Sequence, residues 1–482
     1  MKKLLTATVV LAGAATLLAG EFKVGFARTD ITPPLGVFMP GYYVSRRATE
    51  VLDPLQINMV AFSDGKTTAL IAQYDTEALS DAVADRMRDA ITKATGVPRD
   101  AIMLHASHTH DGGFLVPKHV NGGDLRMEEP DRVYVDMAVT RSADAAVEAI
   151  RDLKPAKLST KSTVAKRISF GRRWKMRDGT VKTNPGTNNP DAMEPADTAD
   201  ETVQVLRIDR VGGKSICMIN FQTHPDVVGG TTLTADWPGL TRGVFEAATF
   251  GETLCIVING TQGDVNHCNV KPLPGELNGL KRDFDAVDRG YDHAKHMANV
   301  LASAALSVWM KCVPLEAGEV RTGIADVSVP AHKALDTDKK NLAWANHVWK
   351  LHEAGKDAEI SKELGVYEMQ LTTELARAGR IRRMAEHPGV HHLPLIAIAI
   401  GKSVAFGGFP GEPFNDIGVQ IRKASPFKLT ILSCLTNGSR GYFPFSKAFQ
   451  EDGYEAATSP FGPTVADDLI KGQGELLKKL YR

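Results

Sequence analysis

Ala101-Ile102-Met103-Leu104-His105-Ala106-Ser107-His108-Thr109-His110-Asp111-Gly112-Gly113 is a short apolar run that ends in imidazoles, a carboxylate and two glycines. A run this short, bounded by turn formers, reads as a buried strand. Upstream, Ala69 to Tyr74 reads the same way and is ended by Asp75. Between the two, Ser80 can cap a helix that carries Val83, Met87, Ala90 and Ile91 on one face and is closed by Gly96. Strand, helix and strand in so short a span make a βαβ unit, so the two strands are expected to pair in parallel. Ligands bind beyond the carboxyl ends of such strands, which is where His108 and His110 fall. Two histidines at i and i+2 project to one side of extended chain, and the glycines let the backbone turn sharply beneath a ligand. The pattern suits a metal, although loop histidines also occur this way in structural roles. A metallo-β-lactamase HxHxDH motif is excluded, because positions 112 and 113 are both glycine.

The same grammar recurs along the chain. Leu55 to Tyr74 reads as a hairpin around Ser63-Asp64-Gly65-Lys66. The run Ser215 to Phe221 leads through a polar loop to a helix opening at Pro238, and Thr253 to Ile258 leads to another polar loop. Arg282 to Lys311 is a long helical stretch. The segment from Leu335 to His387 is charged, with helical spacing at Leu342, Ala345, Val348, Trp349 and His352, and reads as a helical excursion near 335–387 with Gly355, Gly365 and Gly379 as its candidate breaks. Leu393 to Ile400 and Ser403 to Phe406 form a second hairpin, and Lys428 to Leu435 a last strand. The expected class is α/β, with a mixed, largely parallel sheet, flanking helices and a metal site at the carboxyl ends of the strands. With no fixed-period repeat and no Pro/Ser-rich linker, residues 21–482 are expected to be one catalytic domain.

Over its 482 residues the chain carries 57 basic and 57 acidic side chains, so net charge gives no attraction to nucleic acid. At 43% hydrophobic and 24% charged, it has the composition of an ordinary globular protein rather than a disordered or fibrous one. Lys2 and Lys3 precede an apolar run from Leu4 to Leu18 that ends in Ala19-Gly20 before Glu21. Residues 1–20 therefore read as a secretory signal, and the protein as exported, periplasmic or secreted. The run is short of the roughly 20 residues a membrane span needs, and no later segment qualifies, so no transmembrane segment is expected in the mature chain. Its ending resembles a bacterial lipoprotein signal, but Glu21 stands where the lipid-bearing cysteine would be. Five cysteines leave at least one unpaired. Cys217, Cys255 and Cys434 lie within strand-like runs and read as small buried thiols, while a bridge between Cys268 and Cys312 stays open. The lack of any CxxC pair argues against a cysteine-zinc site.

Other strand ends carry chemistry as well. Thr223-His224-Pro225-Asp226 follows one strand directly, and Asn259-Gly260-Thr261-Gln262-Gly263-Asp264-Val265-Asn266 follows the next. The strand at Ser403 exits toward Pro410-Gly411-Glu412-Pro413, a rigid turn that places its carboxylate, unless Glu412 merely caps the helix that follows. The last strand exits into Asn437-Gly438-Ser439-Arg440-Gly441-Tyr442. His293 and His296, one turn apart on a helix, have no such strand-end setting and read as structural.

Taken in order, His108-Thr109-His110-Asp111-Gly112-Gly113, His224-Pro225, Ala235-Asp236, Gly263-Asp264-Val265, Pro410-Gly411-Glu412, and Tyr442 through Tyr454-Glu455 to Phe461-Gly462-Pro463 resemble the neutral/alkaline, non-lysosomal ceramidases. The individual motifs are short, but their joint order is specific, and the match runs from about Val24 to the end of the chain. The resemblance implies a zinc ion, Zn2+, held by His108, His224, Glu412 and Tyr442, which activates water against the amide of an N-acylsphingosine. It also implies that His110 stabilises the transition state and that Tyr454 is a second active-site tyrosine. A family arginine lines up with Arg172, although its setting here is Gly171-Arg172-Arg173 rather than a position after asparagine. Asp236 and Asp264 are then candidates to orient the ligand imidazoles from behind, or to cap the helices that follow them.

Two departures bear on the substrate. The family's His-Pro-Thr is here His224-Pro225-Asp226, and its β-rich domain after the catalytic one is expected to be absent, since the chain ends shortly after Gly462-Pro463. The polar stretch from Lys175 to Asp200, with Asn184, Asn188, Asn189 and Asp191, would suit the entrance of a hydrophilic substrate, unless it is simply a surface loop. The expected function is an exported zinc-dependent hydrolase that cleaves the amide of a small-molecule or lipid N-acyl compound. Hydrolysis of a glycoside or ester on the same fold, and non-catalytic binding, are the alternatives.

Overall fold

The computed structural model describes residues 22–42, 46–113, 115, 128–274, 276, 290–332, 342–367, 369–386, 389–451 and 453–482. The expected signal, 1–20, lies outside the described residues, as do 282–289 of the long helical stretch and 335–341 of the helical excursion.

A nine-stranded mixed sheet runs in the order Thr253–Asn259, Ser215–Phe221, Thr202–Arg210, Lys154–Val164, Lys23–Asp30, Gln56–Ser63, Thr68–Tyr74, Ile102–Ala106, with Val313–Leu315 also against Lys154–Val164. Its two ends are parallel pairs, 68–74 with 102–106 and 215–221 with 253–259. Everything between them is antiparallel. The sheet is thus mixed with flanking helices, as expected, but parallel pairing is confined to its ends instead of predominating. Short links explain the balance: the turn at Asp64, whose carboxylate accepts from Lys66 N and Thr67 N, and the Gly212-Gly213 link can join only antiparallel neighbours.

A four-stranded sheet, Val320–Pro330, Val390–Ile400, Val404–Gly408 and Leu429–Ser433, ends in a third parallel pair. Alternate residues of its strand 390–400 divide between two cores, as a period of two requires. Ile396, Ile398 and Ile400 join a large core that includes Val60 and Phe62 of the nine-stranded sheet. Leu395, Ala397 and Ala399 join a second core with Leu469, Leu476 and Leu480 of helix Val465–Tyr481. Strand 215–221 divides likewise: Ile216 and Met218 face the large core, while Cys217, Ile219 and Phe221 pack on Trp237 and Phe245 of helix Asp236–Ala248 and on Met297 and Leu301 of helix Tyr291–Trp309. Sheets covered on both faces are what make these strands read as unbroken apolar runs.

The βαβ unit forms as its sequence dictates. Helix Asp81–Thr95 is capped by the Ser80 side chain accepting from Val83 N, buries Val83, Met87 and Ile91, and closes on left-handed Gly96. The excursion contains helices Leu342–Glu353, Asp357–Leu364 and Met369–Glu386 around a small core of Val348, Trp349, Ile360, Leu375 and Ile381. Gly365 ends one of these helices, whereas Gly379 lies within another. All five cysteines are free, so no bridge joins Cys268 to Cys312. No described helix is long and apolar enough to cross a membrane.

Candidate metal centre

The three parallel pairs converge at their carboxyl ends. His108 follows strand 102–106 by two residues and adopts a left-handed backbone, φ 76°, an unfavourable conformation for a residue with a Cβ. It is fixed there because its N–H donates to Thr76 O (2.9 Å) and Ser107 N donates to Tyr74 O (2.8 Å), both from the neighbouring strand end. His224 follows strand 215–221, and its N–H donates to Val265 O at 3.2 Å. Glu412 and Tyr442 are register partners in a short parallel ladder, 412–413 with 442–443, that extends the parallel pair of the four-stranded sheet.

These residues form one cluster. Glu412 Oε2 is 3.3 Å from His108 Nε2 and 3.1 Å from His224 Nε2. Tyr442 Oη is 3.4 Å from His224 Nε2, and His110 Nε2 is 3.3 Å from His108 Nε2. One ring nitrogen each from His108, His110 and His224 lies within 4.8 Å of the others, and all three residues are buried. Two of the imidazoles are held from behind by carbonyls. His108 Nδ1 donates to Glu77 O (2.9 Å), and His224 Nδ1 donates to Gln262 O (2.9 Å) and Val265 O (3.0 Å). Since a carbonyl can only accept, the proton sits on Nδ1 and the Nε2 lone pair faces the cluster in the neutral ring. Buried nitrogen lone pairs grouped with a carboxylate and a phenol oxygen fit a divalent transition metal.

Titration follows from the same contacts. Burial disfavours both charged forms of the His108–Glu412 pair, but their attraction wins: His108 is raised to about 9 and Glu412 held well below the usual carboxylate range. His224 touches the same carboxylate yet is lowered to about 4, because burial is reinforced by Arg172, whose Nη1 is 3.2 Å from His224 Nε2. Burial lowers His110 well below the ordinary imidazole value, so its ring is neutral. Without a metal, one proton shared by His108 and Glu412 supplies the balancing charge.

Arg172 and Tyr454 also lie at the cluster. Arg172 donates from Nε to Glu455 (2.6 Å) and from Nη2 to Gly263 O (2.8 Å), and its guanidinium lies 5.3 Å from the Tyr442 ring centre and 5.9 Å from that of Tyr454. The two tyrosine rings are 5.7 Å apart. Asp236 and Asp264, in contrast, do not hold the imidazoles. Asp236 accepts from Val227 N (2.9 Å) and Trp237 N (2.5 Å), and Asp264 accepts from Asn415 N (2.6 Å). Both carboxylates are spent on organising backbone, and the expected orienting role falls to carbonyls of Glu77, Gln262 and Val265. Gly263 serves this loop through its missing side chain, since a Cβ there would lie 2.6 Å from Glu412 O.

A layer around His110 escaped the sequence reading. Arg46 donates to His110 O (2.5 Å), Pro40 O (2.6 Å) and the Asp111 carboxylate (3.2 Å). His110 Nδ1 is 3.7 Å from Asp226, which the Tyr42 hydroxyl also contacts. Gly41, at φ 98°, packs so closely that a Cβ would sit 2.6 Å from His110 Nδ1. Glu77 was likewise missed: burial raises its carboxyl to about 7, opposed by His108. The only signals for these residues are position, Pro40-Gly41-Tyr42 in a Pro/Gly-rich opening and Glu77 two residues past a strand-ending aspartate.

Among solved structures, the chain matches the neutral ceramidase from Pseudomonas aeruginosa with a TM-score of 0.68 at 16% identity, over 95% of this chain and 75% of that one. A ceramidase complexed with C2 matches with a TM-score of 0.67 at 15% identity, again over 95% and 75%. No family model matches the chain. No curated protein matches it by sequence. At this identity the likeness establishes the fold, and the neutral ceramidase fold implied by the motif order is borne out.

Proposed function

We propose that the protein is a zinc-dependent amidase of the neutral ceramidase type, in which residues 21–482 act as one catalytic domain exported through the signal at 1–20. The observation that carries this reading is the meeting of His108, His224, Glu412 and Tyr442, from separate strand ends, around one buried point on a ceramidase fold. These four would hold the zinc, and a bound zinc supplies a Lewis acid that lowers the pKa of its water to about 7.

The other residues then have separable roles. His110 is neutral and stands beside the ligands, with Nδ1 lacking a hydrogen bond among the described residues, so its ring can present a proton from Nε2 to the oxygen of a tetrahedral amide adduct. Burial and the Glu412 charge hold the Tyr442 phenol well above its ordinary value, and Arg172, clamped by Glu455 and Gly263 O, opposes them with a fixed positive charge that favours the phenolate needed of a ligand. Tyr454 closes the side of the cluster next to Tyr442 and orients substrate. Glu412, close to two histidines and kept ionised by them, cannot be a proton donor at neutral pH.

Zinc-supplemented protein assayed for free amine release from a panel of N-acyl compounds tests the reading. Amide hydrolysis that a chelator abolishes and zinc restores is expected. A zinc-replete protein inert toward every amide, or equally active after complete zinc removal, would refute it.

A further inference from the structure

A cavity of about 610 Å3 opens beside the metal centre, between the segment 180–185 and helix Met369–Glu386, with Tyr454 in its wall. That volume is within the roughly 300–1,000 Å3 of small-molecule sites. It is one side chain from the cluster: Tyr454 stacks edge-on against Tyr442, and Thr183, another lining residue, donates to the same Glu455 that clamps Arg172 (3.1 Å). Asn184 also lines it. This residue is fully buried and held in the left-handed region at φ 47°, its N–H donating to Arg172 O at 2.7 Å. Its Oδ1 accepts from Asn266, but Nδ2 is a buried donor with no partner among the described residues.

The lining specifies what would fit the cavity. Asn184, Asn189, Gln370 and Thr373 offer amides and a hydroxyl, groups that both donate and accept and so match hydroxyls. Two bases in the lining, Lys182 and Arg377, balance two acids, Glu374 and Glu451, and Arg377 pairs with Glu374 (3.7 Å) while Glu451 pairs with Arg173 (2.8 Å), so an ionic ligand meets no net charge. Tyr367 and Tyr454 add aromatic faces for the apolar face of a ring. A two-chain lipid instead needs continuous apolar burial at about 0.8 kcal/mol per CH2. Val181, Val366 and Met369 supply apolar lining only alongside these polar groups, and the nearby Trp174 and Met176 do not extend it, being locked in their own small core with Ala192, Cys268 and Val270, while Met193 is on the surface.

We propose that this cavity is a substrate subsite for a neutral, hydroxyl-rich group, so that the substrate is an N-acylated amino sugar or amino polyol. The binding claim rests on the cavity, and the claim about substrate rests additionally on the amidase reading above. Zinc-loaded protein would be titrated calorimetrically with N-acetyl-D-glucosamine and N-acetyl-D-galactosamine, and assayed for amine release from these, from N-butylacetamide and from a short-chain fluorescent ceramide. Gln370→Ala and Asn184→Gly would be tested alongside, with zinc content checked for each; glycine retains access to the left-handed backbone. Expected are saturable sugar binding, a preference in kcat/KM of about tenfold or more for an amino sugar over the aliphatic amide, and a fall in that ratio of about fivefold in each variant, the loss of roughly one hydrogen bond. Sugar binding weakened by the variants but without hydrolysis of any amide would uphold the subsite and refute the amidase reading. Hydrolysis of ceramide or the aliphatic amide without sugar binding would overturn the subsite and leave the amidase reading standing. Neither binding nor hydrolysis would overturn both.

Discussion

Glu412 Oε2 lies 3.1 Å from His224 Nε2, although one residue follows a strand of the four-stranded sheet and the other a strand of the nine-stranded sheet. The contact exists because two parallel pairs in different sheets point their carboxyl ends at the same place. Neither sheet holds the cluster alone, so the packing of one on the other through Phe62 and Phe406, rings 5.6 Å apart, is part of how the site is made.

Replacing ligands and replacing the neighbouring histidine should give different phenotypes. His108→Ala and Glu412→Ala are expected to lose zinc. His110→Ala should keep it while losing about 10²- to 10³-fold in turnover, the usual cost of one oxyanion donor. Metal analysis beside single-turnover rates separates the two, and a zinc-free His110→Ala protein would make His110 a ligand.

Zinc uptake should release a proton. Glu412 raises His108 from 6.5 to about 9, so at pH 7 the metal-free pair carries a proton that a metal must displace. The sign follows from the raised value: this pair's stabilisation of the metal-free protein is complete below pH 6.5 and is lost as pH rises through about 9, while zinc affinity strengthens over the same interval. Calorimetry at pH 7 in buffers of different ionisation enthalpy should show at least one proton released per zinc, with the Tyr442 phenol adding a second when it binds as phenolate. Heats independent of the buffer would contradict the pairing.

Asp236→Asn should leave zinc content unchanged, because this carboxyl faces Val227 N and Trp237 N and no ligand imidazole. The cost should appear as stability, about 1–3 kcal/mol for one buried N–H left without an acceptor. Parallel metal analysis and thermal melts decide the matter, and loss of zinc at unchanged stability would restore Asp236 as a residue that orients a ligand.

Asp75, which ends the strand before the site, accepts from both Arg242 Nη1 (2.9 Å) and Nη2 (2.5 Å), with both side chains buried. Arg242→Met should cost about 3–5 kcal/mol by stranding the carboxylate, and adding Asp75→Asn should recover part of it. A denaturant double-mutant cycle measures the coupling, and additive effects would contradict a shared network.

What could be read from sequence was set by where hydrophobicity is unambiguous. Strands 68–74 and 102–106 and the helix between them were legible because each is buried by apolar residues in the right period and capped by Ser80 and Gly96. Strand 154–164 was not, since polar residues such as Lys157, Ser159, Lys161 and Thr163 run along it with little buried surface, and its membership depends on three distant neighbours. That missing strand, together with 23–30 and 202–210, which were not read as strands either, is why the sheet was expected to be largely parallel. In the cluster, side chains in strand-end motifs were legible and their supports were not. Carbonyls of Glu77, Gln262 and Val265 do the orienting, and a carbonyl leaves no mark in a sequence. Two conspicuous aspartates took its place in the reading.

The most direct test of the account is an anomalous diffraction map at the zinc edge from crystals of zinc-loaded protein. The account predicts one peak per chain about 2.0–2.2 Å from Nε2 of His108, Nε2 of His224 and an oxygen of Glu412. No peak between those three residues, with zinc absent from the protein after supplementation or bound elsewhere in the chain, would contradict it.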